Sequence, residues 1–252
     1  MKHLLGRESV GLLAEVAWSR VLLAFDFEGT LAPIVAKREA ARMSSKTEGL
    51  FERVAELYPC AVISGRSRAD VSRRLGSARV KYVVGNHGLE PGAKLPEFEA
   101  EVVEARRGLE AALAASPGVE IEDKRYSLAV HYRRARLKQE ARRAILRAVE
   151  GLGIDMRTIG GKLVINVIPA GAPNKADALV HLREKERADV AVYVGDDVTD
   201  EDVFELDQPG RLLSVRVGAS RASAAKYFLR SQGEIDAMLA ALVEARARAH
   251  DR

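Results

Sequence analysis

The sequence predicts an α/β protein, a parallel-sheet core interrupted by an inserted α+β unit. Three observations carry this expectation: short runs rich in Val, Ile and Leu, helical stretches between them, and a change of rhythm from about residue 90 to residue 170. The runs at 21–25, 60–63, 80–84, 190–194 and 212–217 read as strands. Those at 21–25, 60–63 and 190–194 lack polar alternation, as strands covered on both faces do. Residues 46–57 and 68–75 separate the first three as helices, which gives the βαβ rhythm of a parallel sheet. Sites in such sheets lie at the carboxyl ends of strands, so the residues just past each run are the ones to inspect.

The stretch 90–170 starts with an expected helix at 98–115 and an alternating strand at 125–132. Leu137, Ala141, Ala144, Ile145 and Ala148 then recur at helical spacing, and 162–168 reads as a further strand. The expected division is therefore a core of 1–89 and 171–252 and a lid-like unit of 90–170, joined by short hinges. Arg133, Arg134, Arg136, Arg142 and Arg143 crowd this unit and read as a solvated helix face.

Composition narrows the function classes. The net charge is only +4, which suits small anions better than a nucleic-acid partner. A single cysteine, Cys60, excludes an internal disulfide framework or a multi-thiolate metal site and points to a reducing, cytoplasmic setting. Arg7, Glu8 and Glu15 interrupt the apolar residues near the start, so neither a signal-peptide core nor a membrane span is expected.

Four motifs follow strand ends. In Asp26-Phe27-Glu28-Gly29-Thr30 two acids stand two apart, a spacing that points both to one side in extended chain before Gly29 turns it. That pattern suits a nucleophile and a proton donor, and equally a loop cap. Ser64-Gly65-Arg66 offers a hydroxyl, a backbone N–H and a guanidinium to phosphate oxygens, although serine before glycine also caps ordinary turns. Lys175 opens a helical stretch and can neutralise phosphate as a point charge. The run from Asp196 to Asp202 holds five acids in seven residues, Asp196, Asp197, Asp200, Glu201 and Asp202. An oxygen-only ligand set of this kind favours Mg²⁺. Its plainer reading is an acidic helix cap.

Together the four motifs resemble those of haloacid dehalogenase-type phosphatases. The resemblance implies a Rossmann-like parallel-sheet core with an α+β cap domain, Asp26 as nucleophile and Glu28 as acid/base. It also implies Ser64, Gly65, Arg66 and Lys175 around the phosphoryl group. Mg²⁺ is expected on Asp26, on the position-28 carbonyl and on Asp196, supported by Asp197 and Asp200. TLAPIV, GNHGLE, VHYR, GDDVTDED and AKYFL are, more narrowly, similar to trehalose-6-phosphate phosphatases. That likeness implies an enzyme acting on a small sugar phosphate, with His87, Gly88, His131, Arg133 and Asn166 as sugar contacts, and a monomer is expected. Ser127, Ala129, His131 and Arg133 are expected on one strand face.

Two positions depart from the family pattern. Glu28 replaces the second aspartate, and Asn166 stands where a glutamate is usual. The first opens a weakly active sugar-phosphate sensor as an alternative. The second keeps sucrose phosphate and glycosyl phosphoglycerate in play as substrates.

Overall fold

The computed structural model describes the chain apart from Val10, Lys37, Ala93, Lys162, Asp207, Asp251 and Arg252, and apart from the side chains of Arg38, Ala249 and His250. Contacts divide it into two compact units, Met1–Gly88 with Asn174–Arg252, and Leu89–Pro173.

The first unit begins with β1 (Lys2–His3), α1 (Leu12–Trp18), β2 (Val21–Phe25), α2 (Ser45–Leu57), β3 (Cys60–Ile63), α3 (Arg68–Arg74) and β4 (Tyr82–Val84). The second unit contributes α4 (Leu95–Ala112), β5 (Glu120–Asp123), β6 (Leu128–His131), α5 (Lys138–Glu150), β7 (Met156–Gly161) and β8 (Val164–Pro169). The chain then returns to the first unit with α6 (Lys175–Glu186), β9 (Val190–Gly195), α7 (Glu201–Phe204), β10 (Leu212–Val217), β11 (Tyr227–Leu229) and α8 (Ile235–His250).

The first unit's sheet is parallel throughout, in the order β1-β11-β10-β9-β2-β3-β4. The expected α/β class is therefore the observed one. Alternation in β2 feeds two cores: Val21, Leu23 and Phe25 join one, and Leu22 and Ala24 the other. Residues of α1, α2, α3 and α8 fill the first core, and those of α6 and α7 fill the second. Coverage on both faces explains why β2 and β3 are buried at every residue. On one side β2 pairs with β3, and on the other with β9, far later in sequence. This is a topological switch point, where such sheets leave a crevice beyond the strand ends.

Local chemistry starts the helices that matter for the site. Ser44 caps α2 by accepting from the Thr47 N–H, and Ser67 caps α3 by accepting from the Asp70 N–H. Asn174 and Asp177 form a reciprocal capping box, 2.9 and 3.0 Å, which fixes Lys175 as the first residue of α6.

The second unit is an antiparallel sheet in the order β5-β6-β8-β7. Leu128, Val130, Ile165 and Val167 share a core with Val102, Ala105 and Leu109 of α4 and with Ala141, Ile145 and Val149 of α5. The expected strand at 125–132 is shorter than its alternation suggests. Asp123 Oδ1 accepts from the Arg125 N–H at 2.6 Å, and Arg125 takes φ +75°, so 125–127 form the turn between β5 and β6. At its other end β6 stops at His131, and Arg133 lies exposed in a turn. The shared strand face expected for His131 and Arg133 therefore does not form. Helix α4 starts three residues before its expected position, with Pro96 in its first turn. Of the strand expected at 162–168, residue 162 lies outside the described residues, and β8 begins at Val164. The five clustered arginines, 133, 134, 136, 142 and 143, are all exposed.

Candidate active site

Strand β2 ends at Phe25, and the ladder to β9 continues one step further through the Asp26 N–H, which donates to the Val194 carbonyl at 2.8 Å. Asp26 thus sits at the switch point and is only 5 % exposed. Its Oδ1 is 3.2 Å from the Lys175 ammonium, which is 1 % exposed and donates to Asp200 Oδ1 at 2.7 Å. Burial works against the lysine's charge, but Asp200 and Asp26 outweigh it, so Lys175 stays firmly protonated.

Asp200 is fully buried and saturated with donors. Its Oδ1 accepts from Lys175 and from the Tyr193 hydroxyl, both at 2.7 Å, and its Oδ2 accepts from the Asp196 and Asp197 N–H groups at 2.8 and 2.9 Å. Four donors on one carboxylate shape the loop after β9 and hold Lys175 against Asp26. Tyr193 was not among the sequence candidates. It is the only side chain with a polar tip in the run VAVYV, and a tyrosine buried in such a run needs a partner. Burial and then Asp200 push its hydroxyl well above the ordinary range, which keeps it a donor. Tyr193→Phe is expected to cost about 2 kcal/mol in a denaturant titration, the size of a hydrogen bond to a charged group, with Lys175 still seated on Asp200.

Asp196 completes the cluster. One carboxylate oxygen from each of Asp26, Asp196 and Asp200 lies within 4.8 Å of the others. Burial first, then its neighbours Asp26 and Asp200, push Asp196 up to about 8. Burial pushes Asp26 up to about 7 against the pull of Lys175. Among the described residues Asp196 Oδ1 is buried without a hydrogen-bond partner. A buried, partnerless carboxylate oxygen among like charges is costly, and a hard divalent cation is the ligand that fits it. Because Asp200 has committed both oxygens, Asp26 and Asp196 are the residues that would hold the ion. Gly29 keeps the approach clear: at φ +80°, a Cβ there would fall 2.1 Å from Asp196 Oδ2.

The other candidates take different positions. Asp197 is exposed and starts the short turn that Asp200 closes. Glu201 accepts from Arg216 at 2.6 Å and from the Ala224 N–H at 3.0 Å, so it ties down the loop between β10 and β11 instead of joining the cluster. Ser64 is buried at the end of β3, where its Oγ accepts from the Arg66 N–H at 3.2 Å, as a turn cap does. Its carbonyl accepts from the His87 N–H at 3.0 Å. His87 lies over Gly65, whose Cβ would meet the imidazole at 2.4 Å, and Gly88 passes the Asn174 carbonyl too closely for any side chain. Glu28 Oε1 is 2.6 Å from Arg66 Nη2. Asp26 and Glu28 follow the end of β2, and the turn through Phe27 and Gly29 carries the longer side chain to Arg66. In the second unit His131 Nε2 and Glu122 are 2.9 Å apart, and Lys124 donates to Asn166 Oδ1 at 3.3 Å.

Residues 24–232 match the family model described as trehalose-phosphatase. The trehalose-phosphate phosphatase of Mycobacterium ulcerans is 33% identical over 233 residues, covering 86% of this chain and 60% of the relative. The chain thus spans less than two thirds of the length of the curated relatives with which it aligns first. The C-terminal domain of Candida albicans trehalose-6-phosphate phosphatase superposes with a TM-score of 0.79 at 23% identity, covering 93% of this chain and 97% of that one. The Aspergillus fumigatus trehalose-6-phosphate phosphatase gives 0.68 at 25% identity, over 97% of this chain and 100% of the other.

Proposed function

The chain belongs to the trehalose-phosphatase family, and from that premise we propose that it hydrolyses a sugar phosphate, trehalose 6-phosphate first among candidates, with Asp26 as nucleophile. The observation that carries this reading is the buried Asp26 carboxylate at the switch point, beside Lys175 and within one acidic cluster with Asp196, whose Oδ1 is buried without a hydrogen-bond partner among the described residues.

In this mechanism an Asp26 oxygen attacks phosphorus, the bond from phosphorus to the sugar oxygen breaks, and Glu28 protonates the departing oxygen. Glu28 then takes a proton from water, which attacks the phosphoryl-Asp26 ester and releases phosphate with Asp26 restored. Lys175 offsets the repulsion between two anions, and Ser64 with the Gly65 N–H orients the phosphoryl oxygens. Mg²⁺ on Asp26, the Glu28 carbonyl and Asp196 would supply further charge neutralisation. His87, Gly88, His131, Arg133 and Asn166 remain the candidate sugar contacts. A buried, unpaired Cys60 supports a reducing compartment, and among the described residues no helix is long and apolar enough to cross a membrane.

The pairing of Glu28 with Arg66 favours one second reading, a sugar-phosphate sensor with little turnover, because the carboxylate assigned to proton transfer is committed to a guanidinium. Phosphate release from trehalose 6-phosphate, sucrose phosphate and glycosyl phosphoglycerate, with and without Mg²⁺, separates the two. Hydrolysis of trehalose 6-phosphate that stops with a chelator and returns with Mg²⁺ is expected. Metal-independent turnover would sink the mechanism. A native chain that binds the substrate without hydrolysing it, and gains activity on Glu28→Asp, would establish the sensor.

A further inference from the structure

Building on the catalytic reading above, we propose that Arg66 is a positioning residue for Glu28, anchored by Asp70, and not a phosphate contact. Arg66 leaves the turn after β3 and is only 3 % exposed. Its Nη2 donates to Glu28 Oε1 and its Nη1 to Asp70 Oδ2, each at 2.6 Å. Its main chain is fixed as well, since its N–H donates to Ser64 Oγ at 3.2 Å and its carbonyl accepts from the Asn86 N–H at 2.7 Å.

The anchor extends beyond this pair. Asp70 lies in the first turn of α3, and the same Oδ2 accepts from Arg74 Nε at 2.9 Å. Arg74 Nη1 in turn donates to the carbonyls of Glu39 and Ala41 at 3.0 and 2.8 Å. Burial works to raise the Asp70 carboxyl, but the hydrogen bonds from Arg74 and Arg66 prevail and hold it well below the usual carboxylate range. Asp70 thus remains an anion for Arg66 to rest on.

A guanidinium is planar, so two carboxylates held on different nitrogens fix both its plane and the direction in which each carboxylate lies. Turning Arg66 toward a phosphate would strip charge partners from Glu28 and Asp70 beside a buried cation, a costly exchange. The extra methylene of glutamate has a structural use here. It adds one C–C bond, about 1.5 Å, of reach toward Arg66. An aspartate at 28 would lose that reach and the orientation that comes with it.

The test is a double-mutant cycle on the full chain with trehalose 6-phosphate and Mg²⁺. Arg66→Gln is expected to lower kcat by about 10²-fold, with KM held within about twofold, because displacing an acid/base group by about 1 Å costs that much. Asp70→Asn should act in the same direction and less strongly. In a Glu28→Gln background, Arg66→Gln should lower kcat by less than about threefold, since there is no carboxylate left to position. If Arg66→Gln does not fold, Arg66→Lys, which keeps the charge and loses the fork, carries the same comparison. Equal factors in the two backgrounds would overturn the proposal, and so would a rise in KM with kcat unchanged, which marks direct phosphate contact. A native chain inert toward every sugar phosphate would remove both the catalytic reading and this inference. An active chain with multiplicative factors would remove the inference alone.

Discussion

Asp26→Asn is expected to lower phosphate release from trehalose 6-phosphate by about 10⁴-fold or more, the scale on which removal of a covalent nucleophile registers. A residual rate above a tenth of native would assign the attack to another group. The same substitution should raise the metal-free melting temperature at pH 7.5. Burial lifts the Asp26 carboxyl to about 7 in the folded chain, against about 3.9 when exposed. An acid whose value rises on folding weakens the fold as pH climbs from the unfolded value to the folded one. At pH 7.5 the native chain carries most of that penalty, and the Asp26→Asn variant carries none. Lys175 keeps Asp200 at 2.7 Å, so removing Asp26 does not leave the ammonium without an anion. The gain should shrink toward zero as pH approaches about 4. Stabilisation by added Mg²⁺ should fall as well, because Asp26 is one of the two carboxylates left for the ion.

Asp200→Asn is expected to destabilise the first unit by about 3–5 kcal/mol, lowering the melting temperature by about 10 °C, as calorimetry would register. The amide matches the carboxylate in shape but not in polarity. Asp200 receives donors on both oxygens, Lys175 and Tyr193 on one and two backbone N–H groups on the other. Whichever way an asparagine turns, its NH₂ faces donors. Either the lysine loses its nearer anion and keeps only Asp26 at 3.2 Å, or the loop after β9 loses its ties, and both outcomes also move Asp196. Activity should fall by about 10²-fold or more through that displacement. A loss below about 1 kcal/mol would show that the four contacts do not act as a unit.

The parts of this architecture legible in the sequence were those written in local pattern. Strands β2 and β3 lie where their apolar runs lie, because full burial leaves an unbroken signature. Asp26, Lys175 and Asp196 stood out because each follows a strand or opens a helix, and they do meet. What could not be read are contacts between residues far apart in the chain. Nothing near Glu28 announces a partner 38 positions away. Tyr193 was hidden by its own strand, where its ring passes for core. The second unit misled at the ends of β6, where a side-chain turn at Asp123 and an early stop at His131 overrode an alternation that continued past both.

The pairing of β2 with β9 also sets a sequence of events during synthesis. Asp26 emerges early, yet Lys175, Asp196 and Asp200, and the strand that carries the ladder at Val194, lie some 150 residues or more downstream. Until then β2 has an open side and the carboxylate has neither its cation nor its companion acids. A ribosome-bound chain short of β9 carries Asp26 without the charged groups that surround it in the fold, and exposes an apolar central strand to whatever neighbours it. The Asp26 cluster is therefore complete only once β9 has paired with β2 and brought the charged loop with it.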